Sequence, residues 1–336
     1  MSRDDSAHDW QLPERLAGSD GSPRRVGVEI ELQGIDIEEL AALTAATLGG
    51  EVTPVSAVEF QIEVPEQGGY RVEVDFALLK ELARERRRAV PEGGEGLMDF
   101  AVDLLNEVSS VTVPCEIVAP PIAMDAVAAP MDALVGALRD AGAKGTRHSL
   151  LYAFGVHLNV EPPDLEAATI VRYLRAFVCL YDWIVDEGEV DLSRRLSPYI
   201  KPYDRDYDLL VADPDYAPGW PTLIDDYLKY NPTRDRALDM LPMFAHVDEE
   251  RVRDTVDDAL VKARPAFHYR LANSCVDEPG WTIASPWNRW MAIERLANEE
   301  GELAALASAF ARDRSRMLRT VDKRWVAEVR EWLAGN

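Results

Sequence analysis

Cysteine is scarce in this sequence, and long apolar runs do not occur. The three cysteines, Cys115, Cys179 and Cys275, stand far apart and form no CxxC pair. A sparse, odd set of this kind argues against a disulfide framework or a zinc ribbon and predicts a reducing compartment. Because no run of about 18 apolar residues is present, the sequence predicts no membrane-spanning helix. The first residues lack the apolar segment of a secretory signal peptide, so we expect a cytoplasmic protein.

Positive charge is also in short supply. The chain has 36 lysines and arginines against 60 aspartates and glutamates, which gives a formal net charge of −24. Such a surface repels nucleic acid and anionic lipid, so we expect neither as a partner. Residues 1–23 are polar and show no periodicity, and we interpret them as a mobile leader. A single domain is expected to follow at residues 24–336, with a helical and irregular insertion at about 165–265.

The stretch from Arg24 to Gln33, RRVGVEIELQ, has the alternating pattern of a β-strand. Its valines, isoleucine and leucine alternate with polar positions, so Glu29 and Glu31 point to the same face. Two interpretations are open at this point. The pair belongs either to a half-exposed edge strand or to a magnesium site built from oxygen ligands. The choice depends on whether other strands supply further ligands.

Short strands and amphipathic helices follow, which predicts an α+β fold. The predicted strands are Val58–Val64 and Tyr70–Asp75, joined as a hairpin at Gln67-Gly68-Gly69, then Val113–Ile122, Ala153–Glu161 and Phe267–Asn273. The predicted helices are Asp36–Leu48, Phe76–Arg88, Leu97–Val108, Ala126–Ala141, Leu165–Val185 and Glu249–Ala263, with one or two more over Glu300–Leu333. The stretches Trp281–Ala284 and Trp290–Leu296 fit a strand or a short helix equally well.

Three of these strands carry polar side chains among apolar neighbours. Glu116 is alone in VPCEIVAPPI, and a buried glutamate is costly unless it is paired, protonated or bound to a metal. In AFGVHLNVE, alternation puts His157 and Asn159 on one face. A strand histidine is usually only hydrogen-bonded, but here it joins a polar row that faces other carboxylates. The last predicted strand brings Arg270 and Asn273 close together.

The order of these motifs resembles the amidoligase family, a group of carboxylate–amine ligases with the glutamine-synthetase fold that is related to glutamate–cysteine ligases. The segments that carry the resemblance are Gly27–Glu31 (GVEIE), Tyr70–Asp75, Glu116–Pro121 (EIVAPP), Gly155–Asn159 (GVHLN), Arg270–Asn273 (RLAN) and Ala292–Leu296 (AIERL). Together these segments cover most of the chain.

The resemblance implies a curved antiparallel sheet of the glutamine-synthetase catalytic type, with helices packed on it and a helical C-terminal part. It implies ATP and Mg2+ as cofactors. Glu29 and Glu116 would bind one ion, and Glu31, His157 and Glu294 another. Arg270 would lie near the phosphates or an acyl phosphate, with Asn159 also at the cofactor and Asn273 among the catalytic residues.

The implied reaction joins a carboxylate to an amine, on small molecules or peptides, with a glutamine amidotransferase as a candidate partner. Two motifs depart from the family pattern. Glu294 is followed directly by Arg295 where the family often has Glu-x-Arg, and Asp75-Phe76-Ala77 replaces the usual Asp-x-Ser. Two other interpretations therefore stay open: a catalytically inactive relative that binds a ligand or acts as a scaffold, and a metal-dependent hydrolase.

Overall fold

Nine strands form one open antiparallel sheet in the part of the chain that the computed structural model describes, residues 9–75, 113–148, 154–191, 194–195, 200–314 and 323–335. The strands are β1 (Arg25–Leu32), β2 (Glu51–Ser56), β3 (Glu59–Val64), β4 (Gly68–Val74), β5 (Cys115–Val118), β6 (Ile122–Ala123), β7 (Gly155–Val160), β8 (Leu238–Asp239) and β9 (Phe267–Asn273). Their spatial order is β2-β3-β4-β5-β1-β7-β9-β8, and β6 also pairs with β1. The strand predicted from RRVGVEIELQ is thus at the centre.

Ten helices accompany the sheet in the described residues, so the α+β prediction is confirmed. They are α1 (Ile37–Leu48), α2 (Ala128–Asp140), α3 (Ala167–Glu187), α4 (Arg205–Ala212), α5 (Trp220–Tyr230), α6 (Leu241–Val247), α7 (Glu249–Arg253), α8 (Ala284–Asn298), α9 (Glu300–Arg314) and α10 (Lys323–Gly335). Among these described helices, none has the length and apolar character that crossing a membrane requires.

The two faces of the sheet differ because strand side chains alternate. In β1, Val26, Val28 and Ile30 are buried and belong to one contiguous apolar cluster that includes buried residues of the helices. Helix α1 packs against β3, and α3 packs against α8, α9 and α10. Helix α1 begins at the Asp36 side chain, which accepts a hydrogen bond from the Glu38 amide, and ends at Gly49 in the left-handed conformation. The opposite face is left to polar side chains.

The edge strand β2 was not predicted. All six of its residues are exposed, so the sequence has no buried alternation to reveal it. Helix Glu249–Ala263 was predicted too long, because α7 already ends at Arg253. The Arg253 guanidinium then donates to the carbonyl oxygens of Asp258 and Val261, which holds the chain in turns. The predicted helices at 76–88 and 97–108 lie outside the described residues.

The segment before β1 lies against the folded chain rather than apart from it, at least from residue 9 onward. The Trp10 and Trp287 rings have centroids 5.8 Å apart, and Trp287 Nε1 donates to the Gln11 carbonyl oxygen at 2.6 Å. The Gln11 amide donates in turn to Asn288 Oδ1. These contacts join the predicted mobile leader to helix α8.

Candidate functional site

Strand register brings the predicted polar residues to one face of the sheet. Glu29 on β1 is opposite His157 on β7, and Glu31 is opposite Glu116 on β5. Residues directly opposite each other in an antiparallel pair point to the same side. These four side chains therefore share the face that the apolar cluster does not use. Their role as metal ligands stays a prediction.

The His157 ring connects the two glutamates of β1. Its Nδ1 is 2.9 Å from Glu29 Oε2, and its Nε2 is 3.2 Å from Glu31 Oε1. Burial opposes ionisation of Glu29, but the hydrogen bond with His157 and nearby basic side chains hold the pKa of Glu29 well below its usual range. Glu29 is therefore ionised at neutral pH and can bind a cation.

A second histidine, His268 on β9, was not singled out from the sequence. Its Nε2 lies 4.0 Å from Glu29 Oε2, and its Nδ1 lies 3.3 Å from Asp239 Oδ2 on β8. Burial lowers the pKa of His268 to about 4, so its imidazole is neutral at neutral pH. One ligand atom each from Glu29, His157 and His268 lies within 4.8 Å of the other two. The alternation His268-x-Arg270 was the signal in the sequence that could have revealed it.

Asn159 lies between the carboxylate cluster and an arginine that was also missed. Its Nδ2 donates to Glu29 Oε1 at 2.8 Å, while its Oδ1 accepts from Arg264 Nη2 at 2.6 Å and Nε at 3.0 Å. The two arginine bonds fix which way the amide points. Asn159 therefore orients Glu29, and its predicted contact with a cofactor stays a prediction.

Glu116 lies in the acidic half of this face. Across the sheet it is opposite Glu31 on β1 and Glu73 on β4. Burial first, and then the charges of Asp75 and the neighbouring glutamates, raise the pKa of Glu116 well above its usual range. Carboxylates held together in this way fit a cation such as Mg2+, because the ion would offset their mutual repulsion.

The other half of this polar face, away from Glu116, carries arginines. Arg270 on β9 is only 8% exposed. Its Nη1 donates to the Arg234 carbonyl oxygen. Among the described residues, its buried Nε has no hydrogen-bond partner and no carboxylate lies within ion-pair distance of it. Arg264 and Arg270 both oppose protonation of His268, which places them in the same neighbourhood. In so acidic a chain, a buried guanidinium without a carboxylate fits an anionic ligand.

Two predicted residues are held by other partners. Asn273 donates from Nδ2 to the Glu189 carbonyl oxygen and accepts from the Asp191 amide, so its side chain holds the loop after α3. Glu294 on α8 accepts from Arg24 Nη1 at 2.5 Å and from Arg24 Nη2 at 2.9 Å. The structure does not bring Glu294 into contact with the other predicted ligands. A ligand role for it would require this buried pair to open.

The close packing of Gly155 beneath Arg194 gives a first prediction. A Cβ at Gly155 would lie 2.5 Å from Arg194 Nη1, and Arg194 is buried with Nη2 bonded to the Arg270 carbonyl oxygen. Gly155→Ala should therefore lower the free energy of unfolding by about 1–3 kcal/mol. Chemical denaturation measures this loss.

A matched control is Gly136→Ala in helix α2, where no described atom beyond the helix's own backbone lies within 4 Å of the added carbon. Because alanine favours the helix, that variant should be stabilised by about 0.5–1 kcal/mol. Equal stability of Gly155→Ala and the unaltered protein would mean that Arg194 moves freely.

A comparison with models of known protein families finds a match. A family model described as "Putative amidoligase enzyme" matches residues 22–292, which is most of the chain. The matched region begins just before β1 and includes every residue described at this site except Glu294. A search of curated proteins finds no match.

Proposed function

Because this chain belongs to the family of putative amidoligase enzymes, we propose that it is an ATP- and magnesium-dependent ligase that joins a carboxylate to an amine. The family match supports a ligase. The charges of the site support the proposed binding of a nucleotide and a divalent cation. We also propose that its open antiparallel sheet is of the glutamine-synthetase catalytic type, with the polar face as the reaction surface.

The observation that carries the proposal is the pairing of opposite charges on one polar face. Glu31 and Glu116 form an acidic half, and the buried Arg270 lies on the other half, with no carboxylate of the described residues within ion-pair distance. A nucleoside triphosphate with its divalent cation needs both kinds of surface side by side.

The proposed chemistry has two steps. The substrate carboxylate oxygen takes the γ-phosphoryl group of ATP, which gives an acyl phosphate and ADP. The amine nitrogen then attacks the acyl carbon, the C–O bond to phosphate breaks, and the amide forms with release of phosphate and a proton. When bound, Mg2+ neutralises the phosphoryl oxygens and aligns donor with acceptor.

The residues of the chain have separate tasks in this scheme. Glu31 and Glu116 would hold Mg2+ through their carboxylate oxygens. Arg270 would hold the transferring phosphoryl group with two parallel hydrogen bonds, because its planar guanidinium matches phosphate. Arg264 and Asn159 keep Glu29 in a fixed orientation through the bonds described above.

Magnesium-dependent nucleotide binding tests the proposal. A non-hydrolysable ATP analogue should bind in calorimetry only when Mg2+ is present, and Glu116→Gln should abolish that binding. The same variant should unfold at a higher denaturant concentration, because Glu31 and Glu73 would then face an amide instead of a third carboxylate. Loss of binding in a more stable protein cannot result from misfolding.

The control is Glu328→Gln on the exposed side of α10, which should bind the analogue normally. Unchanged, magnesium-dependent binding by Glu116→Gln would remove Glu116 from the mechanism. An unaltered protein that binds the analogue but never consumes ATP with any carboxylate and amine would favour the inactive, ligand-binding relative.

A further inference from the structure

The part of the site formed by Glu29, His157 and His268 offers different ligand atoms from the acidic half, which is formed by Glu31 and Glu116. Glu29 supplies one oxygen, while His157 and His268 supply one ring nitrogen each, all within 4.8 Å. The proposed reaction uses Mg2+, which prefers oxygen ligands and keeps several waters. Two imidazoles with one carboxylate suit borderline first-row ions such as Zn2+ instead.

In each of the two histidines, the ring nitrogen that does not face Glu29 lies near another carboxylate. Glu31 Oε1 is 3.2 Å from His157 Nε2, so a proton on that nitrogen leaves the Nδ1 lone pair facing Glu29. Asp239 Oδ2 is 3.3 Å from His268 Nδ1, so a proton there leaves the Nε2 lone pair facing Glu29. Histidines that bind metal usually donate their other N–H group to a carboxylate or carbonyl in this way.

The third ligand is oriented as well. Glu29 Oε1 accepts from Asn159, whose amide is fixed by Arg264, and this leaves Oε2 facing both rings. All three candidate ligand groups thus have polar partners at atoms other than the proposed ligand atoms. Such preorganised orientation is typical of a metal site.

The buried His268 Nε2 is the observation that hydrogen bonding does not explain. For His157, the alternative tautomer with the proton on Nδ1 would donate a simple hydrogen bond to Glu29 and needs no metal ion. His268 is 4% exposed, yet its Nε2 has no hydrogen-bond partner among the described residues and lies 4.0 Å from Glu29 Oε2. A buried polar atom without a partner is costly, and a metal ion would satisfy it.

We propose that Glu29, His157 and His268 form a site for a borderline divalent cation, with Zn2+ as the type, beside the carboxylates that serve Mg2+. Glu31 and Glu116 remain for Mg2+, so the two ions use different donor sets. The inference goes beyond the proposed function, because binding of this ion requires neither ATP nor substrate.

Cobalt titration tests the site, because Co2+ takes the place of Zn2+ and absorbs visible light. Full-length protein stripped with a chelator should bind one Co2+ per chain, with the absorption of a four- or five-coordinate ion. Stoichiometric Zn2+ should remove that absorption, whereas a large excess of Mg2+ should leave it. Displacement by Mg2+ would overturn the proposal.

Variants assign the ligands. His157→Ala and His268→Ala should each weaken Co2+ binding at least about tenfold, and Asp239→Asn should weaken it about 10- to 100-fold. His246→Ala, on an exposed histidine of α6, should leave it unchanged. If His268→Ala binds Co2+ as tightly as His246→Ala, the site is wrong.

A measurement on the unaltered protein covers the case in which a variant fails to fold. X-ray absorption at the zinc edge of the Zn2+-loaded protein should show scattering from two imidazoles, and an all-oxygen shell would overturn the proposal. Glu116→Gln should keep the cobalt absorption while losing nucleotide binding. Failure of the metal proposal and failure of the ligase proposal are therefore seen separately.

Discussion

Arg270→Lys is expected to reduce the turnover of amide formation on the order of a hundredfold, which is about 2.7 kcal/mol of transition-state stabilisation. Lysine keeps the positive charge but loses the planar fork that can hold two oxygens of a phosphoryl group. The fold should tolerate the change, because the described hydrogen bond of this side chain goes to one carbonyl oxygen, that of Arg234. The loss therefore reports on the reaction rather than on folding.

The measurement is ATP consumption with a panel of carboxylates and amines. It is followed for the unaltered protein, for Arg270→Lys and for a control variant. The control is Arg251→Lys, which changes a half-buried arginine on α7 that pairs with Asp225 and Asp248. Its turnover should equal that of the unaltered protein. Equal turnover in Arg270→Lys would show that Arg270 does not hold the reacting groups.

Glu294→Gln is expected to lower the free energy of unfolding by about 3–5 kcal/mol, since it leaves Arg24 as a buried charge without its partner. The pair is almost fully enclosed, with side-chain exposures of 1% for Arg24 and 3% for Glu294. The remaining bonds of Arg24 go to the carbonyl oxygens of Arg15 and Glu161, which carry no net charge. Glutamine keeps the shape of the side chain and removes only its charge.

Denaturant titration measures this loss, and Asp225→Asn serves as the control for a surface pair. Asp225 is 57% exposed beside Arg251, so breaking that pair should cost about 1 kcal/mol or less. Nucleotide binding by the folded fraction of Glu294→Gln separates the two roles considered for Glu294. A structural glutamate leaves magnesium-dependent binding intact, whereas a metal ligand would lose it with little change in stability.

The strands of the sheet were predictable where alternation and burial agree. β1 and β7 each have apolar side chains on one face and polar ones on the other, so their limits were predicted within one or two residues. The same periodicity put Glu29 and Glu31 on one face of β1, and His157 and Asn159 on one face of β7. Both faces coincide because β1 pairs with β7. The resemblance implied that these strands line one site, but neither it nor the periodicity predicted this pairing.

Strand β9 shows why part of the site could not be predicted. In a regular strand, Arg270 and Asn273 point to opposite faces, since they are three residues apart. The register between β7 and β9 shifts between Val156 and Leu158, so that two residues of β9 lie opposite one of β7. This bulge puts His268 and Asn273 on the same face, and no pattern in the sequence predicts the bulge.

Hydrogen-bond and ion-pair partners that are far apart in the sequence could not be predicted either. Arg264 lies in an irregular segment before β9 and reaches Asn159 only because the fold brings them together. Glu294 was assigned by motif, and the motif carries no information about Arg24, which satisfies its charge instead. Burial and pairing of charges are set by tertiary contacts, so a local pattern identifies the residue type without its partner.

The Arg24–Glu294 pair also has a consequence for the order in which the chain acquires its structure. Its members are 270 positions apart, so the ribosome must synthesise the chain at least as far as Glu294 before Arg24 can meet its partner. Until then its guanidinium has to stay hydrated, which keeps the adjoining end of the central strand from closing fully. Contacts between such distant segments carry a large loop-closure entropy and slow folding. Nascent chains of this protein should therefore keep that end of the sheet open until Glu294 has left the ribosome.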